Sequence, residues 1–306
     1  MYEKIVVITR KTRLEELVAR FNTRAQARFY IEHAGGDFSD YAREDEAYRR
    51  ALDELHRTLQ LGLKLQFVER GFVSTFLFTE KDVVVAVGQD GLVANTAKYV
   101  AGQPLVGVNP DPERFDGVLL PFHAPQAAQA VRQVLEGKAR LRDVTMAEAS
   151  LNDGQRLLAF NDLFIGASTH VSARYRITFH GAAEAHSSSG VLVSTGAGST
   201  GWLSSVFHMA AGVAVLAGGQ SGSAIRLEWE DPRLAFVVRE PFVSKHSQAG
   251  LVAGLLDPGQ ELLLESVMPS GGVIFSDGIE ADYLAFNSGA TARVRASGQR
   301  ARLVVG

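Results

Sequence analysis

The chain has 306 residues, 46% of them hydrophobic and 21% charged, which is enough apolar material for two domains with separate cores. Its 31 basic and 34 acidic residues give a net charge of −3, which excludes a general electrostatic attraction to nucleic acid. It contains no cysteine, so disulfides, thiolate nucleophiles and cysteine-based zinc sites are excluded, and a reducing, cytoplasmic location is expected.

Strand-like and helix-like segments alternate over residues 1–140. Runs of β-branched and apolar residues predict strands, and apolar residues spaced three and four apart predict helices. The predicted strands are residues 5–9, 63–68, Asp82–Val87 and 105–108; the predicted helices are Arg13–Phe21, 42–61, 92–101 and Ala124–Leu135. Strands separated by helices predict a Rossmann-like α/β domain with a parallel sheet.

Residues 141–306 are rich in short β-like segments separated by glycine and polar turns, which predicts a β-sandwich-like second domain. One helix, Trp202–Leu216, interrupts them. The sequence is not expected to contain a signal peptide. No segment is expected to approach the roughly 20 apolar residues of a membrane span, so no membrane association is expected. The clearest predicted strands here are residues 157–160, Ala173–Phe179, Val191–Ser194, 225–230, 262–265, 273–275, 292–296 and 301–305.

The run Asp82–Val87 ends abruptly in Gly88-Gln89-Asp90-Gly91, and a helical pattern follows at once. The glycines are predicted to let the backbone turn with φ > 0, which gathers main-chain N–H groups and a helix N-terminus around one point. Open α/β sheets bind anions such as phosphates at such points. A carboxylate there would repel phosphate unless it serves a metal or a proton transfer, so Asp90 is a candidate catalytic residue.

A second glycine cluster joins a strand to the helix at 202–216, and Gly196, Gly198 and Gly201 satisfy Gly-x-Gly-x-x-Gly. The context does not fit a Rossmann dinucleotide site, which needs a βαβ crossover with an acidic residue about 20 positions on. A plain glycine-rich turn is one interpretation. The other interpretation is a cradle for a phosphate or a ribose, which is favoured by the four hydroxyl groups close to the helix start. They belong to Ser194, Thr195, Ser199 and Thr200.

Two dipeptides that contain an aspartate are ambiguous when taken alone. Asn161-Asp162 follows a predicted strand, where Asn and Asp often shape a turn, and Asp277-Gly278 has the composition of a hairpin turn. Trp202 adjoins the glycine cluster and is either a packing residue or part of a ligand pocket. The eight histidines form no His-x-His or i, i+4 pair, so no histidine-built metal site is expected.

Taken in order, these segments resemble the motifs of the NAD kinase family. The resemblance runs from about residue 5 to residue 300 and is closest to the branch that contains the mitochondrial NAD kinases of animals. Four segments resemble family motifs. Gly88-Gln89-Asp90-Gly91-Leu92 resembles the Gly-Gly-Asp-Gly-Thr motif, and Asn161-Asp162 resembles the Asn-Glu/Asp pair. Residues 195–200 resemble the Thr-Gly-Ser-Thr-rich loop, and Asp277-Gly278 resembles the Asp-Gly motif near the C-terminus. Four further segments resemble the mitochondrial branch: residues 107–114, 161–166, 188–190 and 239–243.

The resemblance implies transfer of a phosphoryl group from ATP or polyphosphate to the adenosine ribose 2′-OH of NAD, with Asp90 as catalytic base and Mg²⁺ held through the phosphates rather than by a protein ligand cluster. It also implies binding of small-molecule nucleotides by a homodimer. The phosphate- or ATP-binding residues would be Gly88, Gln89, Gly91, Gly196, Gly198 and Ser199. The NAD-binding residues would be Asn161, Asp162, Thr200, Trp202, Ser205 and Asp277.

The chain departs from the family pattern at several points. Gln89 replaces a glycine and Leu92 a threonine of the first motif, and Ser189 stands where many members carry an aspartate. The C-terminal segment that returns to the first domain in many members is expected to be missing. Two alternatives therefore stay open: a related kinase acting on a lipid or sugar hydroxyl, and a catalytically weakened nucleotide-binding homologue. The choice between NAD and NADH also stays open.

Overall fold

The computed structural model describes residues 2–220 and 222–306. The chain divides into two units. The first comprises Met1–Arg142 together with Arg302–Gly306, and the second comprises Asp143–Ala301. The last five residues thus belong to the first unit, whereas the sequence analysis placed everything after residue 140 in the second.

The first unit is built on a parallel sheet, as predicted. Its elements are β1 (Lys4–Thr9), α1 (Arg13–Phe21), α2 (Arg24–His33), α3 (Phe38–Thr58), β2 (Lys64–Glu69), β3 (Asp82–Val87), α4 (Asp90–Ala97), β4 (Pro104–Asn109), β5 (Phe122–His123), α5 (Ala124–Leu135) and the end of β17 (Thr291–Val305). A 3₁₀ helix covers Arg70–Thr75. The strands lie in the order β2-β1-β3-β4, and the end of β17 pairs with the outer side of β4.

Apolar side chains explain why β3 lies at the centre of this sheet. All six of its residues are buried, and a strand covered on both faces needs such a continuous run rather than alternation. One face packs against α3 and α5, which contribute Tyr48, Leu55 and Val131 to a shared core. The carboxyl end of β3 is therefore held rigidly where the first glycine motif begins.

One helix of this unit was not predicted, and one expectation is wrong. α1 has the predicted bounds and ends at Phe21, because Asn22 takes a left-handed φ of 66°; Thr23 then caps the unpredicted α2 by accepting from the Gln26 N–H. The expectation that a C-terminal segment returning to the first domain is missing is wrong, since Arg302 pairs with Pro104 on β4.

The second unit contains two antiparallel sheets with a common core, which agrees with the predicted β-sandwich. Its elements are β6 (Arg140–Leu151), β7 (Arg156–Ala159), β8 (Asp162–Ala167), β9 (Ala173–Phe179), β10 (Ala182–Ser188), β11 (Val191–Ser194), a 3₁₀ helix (Gly198–Thr200), α6 (Trp202–Leu216), β12 (Leu234–Val238), β13 (Ala253–Leu256), β14 (Leu262–Ser266), β15 (Gly272–Ser276), β16 (Ile279–Ala285) and most of β17. One sheet has the order β13-β12-β11-β8-β15-β16; the other has β10-β9-β14-β17, with β6 pairing both β17 and β7.

Several strand boundaries in this unit differ from the prediction. Residues 225–230 form no strand; the segment is irregular, and the Leu227 N–H donates to Ser199 Oγ. The two predicted strands 292–296 and 301–305 are one continuous strand, β17. Six strands were not predicted at all: β6, β8, β10, β12, β13 and β16.

Helix α6 carries a mostly exposed apolar surface, with Leu203 its one buried residue. We expected no segment to approach the length and apolar composition of a membrane span, and this expectation is wrong. Among the described residues, the 19 residues Gly198–Leu216 are long enough and apolar enough to cross a membrane by these two criteria. The α-helix itself has 15 residues and is thus about 22 Å long, shorter than the roughly 30 Å hydrocarbon core of a bilayer. Length and composition do not establish a span here.

Candidate active site

The first glycine motif forms the turn between β3 and α4. Gly88 continues the sheet by donating its N–H to Val108 O over 3.1 Å, Gln89 caps the helix, and Asp90 is its first residue. The predicted positive φ is wrong, because neither Gly88 nor Gly91 has a φ in the left-handed region. The space at Gly88 is tight instead: a Cβ there would lie 3.1 Å from Leu92 Cδ2, so the leucine side chain would have to shift by a few tenths of an ångström to accept a larger residue.

The two departures in this motif both fit the local structure. Gln89 has an extended backbone (φ −113°, ψ 164°), which any residue adopts, and it is exposed. Leu92 is 3% exposed and packs in the core beneath the turn. Neither departure strains the backbone of the turn.

The carboxylate of Asp90 has a fixed orientation. It accepts the Leu119 N–H at 2.8 Å through Oδ1 and the Val118 N–H at 3.3 Å through Oδ2. Gly107 makes this possible, because a Cβ at that position would lie 2.0 Å from Leu119 O and would push the segment away from β4. Asp90 is therefore half-buried and held at the helix N-terminus.

In the second unit, Asp277 joins two of the predicted motifs. With Gly278 it forms the two-residue turn between β15 and β16, at φ values of 53° and 70° that fit a type I′ hairpin. Its carboxylate accepts three successive backbone N–H groups: Phe160 at 3.0 Å, Asn161 at 2.6 Å and Asp162 at 3.2 Å. Asp277 is thus both a turn residue and the anchor of the Asn161-Asp162 segment.

Asp162 carries a buried oxygen with no protein partner. Among the described residues its Oδ1 has no hydrogen-bond partner, and it lies close to Gly198, where a Cβ would be 2.6 Å away. Burial raises the pKa of Asp162 to about 7, the Ser194 hydroxyl counteracts part of this, and the Asp277 charge adds to it. A buried acceptor without a donor is a place for a ligand hydroxyl or amine.

The raised pKa of Asp162 predicts a pH-dependent stability. Between about pH 4 and pH 7 the unfolded chain loses this proton while the folded chain keeps it, so stability falls as the pH rises through this window. The free energy of unfolding at pH 8 should be about 2–4 kcal/mol lower than it is below pH 4. Asp162→Asn, which has no proton to lose, should therefore be more stable than the parent at pH 8 and nearly equal at pH 4.5 in urea unfolding. The same stability difference at both pH values would contradict the assignment.

The second glycine cluster packs tightly against its own unit. A Cβ on Gly196 would lie 1.8 Å from Glu228 O, and one on Gly198 would lie 2.3 Å from Asn161 O. The Thr195 hydroxyl donates to Phe160 O at 2.6 Å, and that of Ser199 donates to Gly196 O at 2.8 Å. These two hydroxyls stabilise the loop itself. Of the four hydroxyl residues of the predicted cradle only Thr200 is exposed; Ser205, which is also exposed, lies one turn into α6.

An aromatic cavity of about 710 Å³ adjoins this cluster within the second unit. Trp202 stacks on Phe164 with ring centroids 5.8 Å apart and planes 11° apart, and the Arg239 guanidinium lies 5.3 Å from the Trp202 ring centroid. Ser189 also lines the cavity. Neither Phe164 nor Arg239 was predicted to have a role in a site. Side chains along β8 alternate between the two faces of its sheet, and because Leu163 and Ile165 are buried in the core, this alternation would have placed Phe164 on the opposite face.

Within residues 2–220 and 222–306, no group of three or more His, Asp or Glu side chains is arranged to hold a metal ion.

The chain was compared with known proteins by sequence and by structure. No protein-family model matches it. It is 28% identical to an NAD kinase of Chlorobium luteolum over 146 residues (46% of this chain, 48% of that protein) and 29% identical to an NAD kinase of Prosthecochloris aestuarii over 126 residues (40% and 43%). The chain therefore spans about half the length of the curated relatives it matches.

Solved structures resemble the whole chain. Yeast NADH kinase, complexed with NADH, aligns over all of this chain and 84% of its own length, with a TM-score of 0.56 and 16% identity. An NAD kinase from Archaeoglobus fulgidus, in complex with ATP, aligns over 98% of this chain and 93% of its own, with a TM-score of 0.54 and 15% identity. The fold is that of the NAD kinases. The partial sequence matches support the same family, and they do not distinguish its branches.

Proposed function

We propose that the protein is an NAD kinase, a phosphotransferase that moves the terminal phosphoryl group of ATP to the adenosine ribose 2′-OH of NAD and so forms NADP. The observation that carries the proposal is the NAD kinase fold over the full chain. The partial matches to two curated NAD kinases support it independently. The mitochondrial-type branch, suggested by the segments at 107–114 and 239–243, is part of the same proposal.

In this proposal Asp90 is the general base. A hydroxyl is a weak nucleophile at neutral pH, so a carboxylate that accepts its proton as the O–P bond forms speeds the transfer. The bond between the β–γ bridging oxygen and the γ-phosphorus breaks, and the electron pair leaves with ADP. The two N–H donors from Leu119 and Val118 fix the Asp90 carboxylate and leave further lone pairs on it. Mg²⁺ bound to the phosphates of ATP would neutralise their charge.

The acceptor would be held by the second unit. Asp162, whose Oδ1 has no hydrogen-bond partner among the described residues, would accept a ribose hydroxyl, and Asp277 would support it by holding the backbone of Asn161 and Asp162. Thr200, Trp202 and Ser205 are the other residues we assign to NAD. Gly88, Gln89, Gly91, Gly196, Gly198 and Ser199 are the residues we assign to the phosphates of the donor. The N–H groups of Gly88 and Gly198 already donate within the protein, to Val108 O and Thr195 Oγ1.

An acceptor and donor panel tests this function against its alternatives. The purified protein is incubated with Mg²⁺ and either ATP or polyphosphate, together with NAD, NADH, a diacylglycerol or a hexose. The proposal expects phosphorylation of NAD or NADH and none of the lipid or sugar. Phosphorylation of the lipid or sugar instead would identify a related kinase, and binding of ATP without any transfer would identify a non-catalytic homologue.

We propose also that the protein forms a homodimer in a reducing, cytoplasmic compartment. Helix α6 supports self-association, because Trp202–Leu216 contains no acidic or basic residue other than His208, and Met209, Val213 and Leu216 are about half to nine-tenths exposed. Such an uncharged apolar surface can meet its own copy without charge repulsion.

The dimer proposal predicts a particle mass of twice 33.0 kDa in light scattering. Val213→Glu should shift it to the single-chain mass, because the interface would then bury two like charges. A wild-type protein that is monomeric at about 50 μM, well above the Kd of typical stable complexes, would contradict the proposal.

A further inference from the structure

Strand order in the first unit creates a crevice at one point of the sheet edge. β1 pairs with β2 on one side and with β3 on the other, and β4 lies beyond β3. The chain therefore leaves the neighbouring strands β1 and β3 in opposite directions. In open parallel sheets, ligands bind at the carboxyl ends of the strands at such a switch point.

Arg10 and Gly88 face each other at this point. Ile8 on β1 is paired with Ala86 on β3, and Arg10 and Gly88 each follow two residues later. The Arg10 side chain lies against the turn, since a Cβ on Gly88 would be 3.4 Å from both its Cδ and its Nε. A cationic side chain thus borders the motif to which we assign the donor phosphates.

The backbone around Arg10 is firmly held. Its N–H donates to the Tyr48 hydroxyl at 2.8 Å, and that hydroxyl donates to Val87 O at 3.1 Å, which joins the ends of β1 and β3. The guanidinium also lies 5.3 Å from the Tyr48 ring centroid. Burial raises the pKa of Tyr48 to about 12, so it stays a neutral donor. Arg10 therefore occupies one defined position.

The guanidinium of Arg10 has more donors than the protein uses. Nη2 donates to the buried Glu44 carboxylate at 2.9 Å and Nη1 to Lys11 O at 2.9 Å, whereas Nε has no hydrogen-bond partner among the described residues. Only 11% of the side chain is exposed, so water cannot satisfy most of it. An arginine offers five N–H donors, and surplus donors on a desolvated cation favour an anionic ligand.

Arg10 is also the end of a chain of ion pairs. Glu44 bonds both Arg10 and Arg13, and Arg13 continues to Asp40, which pairs with Arg114. Each interior member has at least two partners, and Asp40 has three, whereas Arg10 pairs with Glu44 alone among the described residues. The positive end of the network therefore points to the switch point.

We propose that Arg10 binds the phosphate chain of the phosphoryl donor at the β1/β3 switch point. This inference rests on the proposed function for the identity of the donor, and it adds a residue that the glycine motifs do not include. The ligand chemistry is a linear phosphoanhydride, which ATP and inorganic polyphosphate share.

Calorimetric binding of Mg²⁺–ATP and of inorganic tripolyphosphate to the full chain tests the proposal. Arg10→Met keeps the length and removes the charge and donors, so the Kd for ATP should rise about ten- to a hundredfold while that for NAD changes less than twofold. Arg10→Lys keeps the positive charge but lacks the planar guanidinium, and it should raise the Kd for ATP about three- to tenfold. An equal loss for tripolyphosphate would show that the phosphates alone are recognised.

Arg13→Met is the matched control, because Arg13 bonds the same Glu44 but is 45% exposed. It should leave the Kd for ATP within about threefold of wild type. Equal weakening by Arg10→Met and Arg13→Met, or unchanged ATP binding in Arg10→Met, would overturn the proposal. If Arg10→Met does not fold, wild-type ATP affinity in Arg10→Lys would overturn it instead.

ATP binding is measured without turnover, so the two proposals fail separately. A wild-type protein that binds ATP through Arg10 but makes no NADP would refute the proposed function and support the role of Arg10. A protein that makes NADP equally well with Arg10→Met at limiting ATP would refute the role of Arg10 alone.

Discussion

Asp90→Asn is expected to lower the turnover number for NADP formation by about 10²–10⁴-fold, the usual contribution of a general base. The amide cannot take the proton of the ribose hydroxyl. Its carbonyl oxygen can still accept the Leu119 N–H that Asp90 Oδ1 accepts at 2.8 Å, so the turn keeps its shape. The affinity for NAD should therefore stay within about tenfold of wild type.

Initial rates at saturating ATP and NAD, with NAD binding measured by calorimetry, check this expectation. Asp116→Asn is a matched control, because Asp116 is exposed on the same segment that holds Asp90. It should leave the rate within about twofold, as surface substitutions away from a site usually do. A turnover number for Asp90→Asn close to that of wild type would reject Asp90 as the base.

Asp162→Ala is expected to weaken NAD binding about ten- to a hundredfold. A hydrogen bond to a charged acceptor contributes roughly 1.5–3 kcal/mol, and the unpartnered Oδ1 is the acceptor that the alanine removes. Thermal stability should not fall at pH 8, because removing a buried carboxylate with a pKa of about 7 also removes its desolvation cost.

The alternative for Asp162 is a purely structural role at the start of β8. Calorimetry that finds an unchanged affinity for NAD, together with a lowered melting temperature, would support that role. Asp153→Ala serves as the control, since Asp153 lies in an exposed turn of the same unit and bonds Gln155 locally. It should change neither quantity appreciably.

Local pattern accounts for the elements that sequence analysis placed correctly. β3, α5 and α6 have the bounds that their apolar runs and helical spacing predict, because each carries its own signal. β10 was missed because Ala182–Ser188 is rich in alanine and serine and lies at the edge of its sheet, so no alternation marks it. The short apolar β12 gave no signal that separates a strand from a buried helix segment.

The site residues were found as motifs, whereas their contacts lie far apart in the chain. Nothing local in Asp277-Gly278 indicates that its carboxylate holds the N–H groups of Phe160 and Asn161, more than a hundred residues earlier. The same holds for Asp90 and Leu119. Arg10 has no motif at all, and only the pairing of β1 with β3 brings it to Gly88.

Formation of NADP by the purified chain is the most direct measurement. The protein is incubated with Mg²⁺, ATP and NAD, and NADP is quantified with a dehydrogenase that accepts NADP and not NAD. We predict steady NADP production by the wild type and a rate at least about a hundredfold lower with Asp90→Asn. A wild-type protein that binds ATP but forms no NADP or NADPH from NAD or NADH would contradict the account.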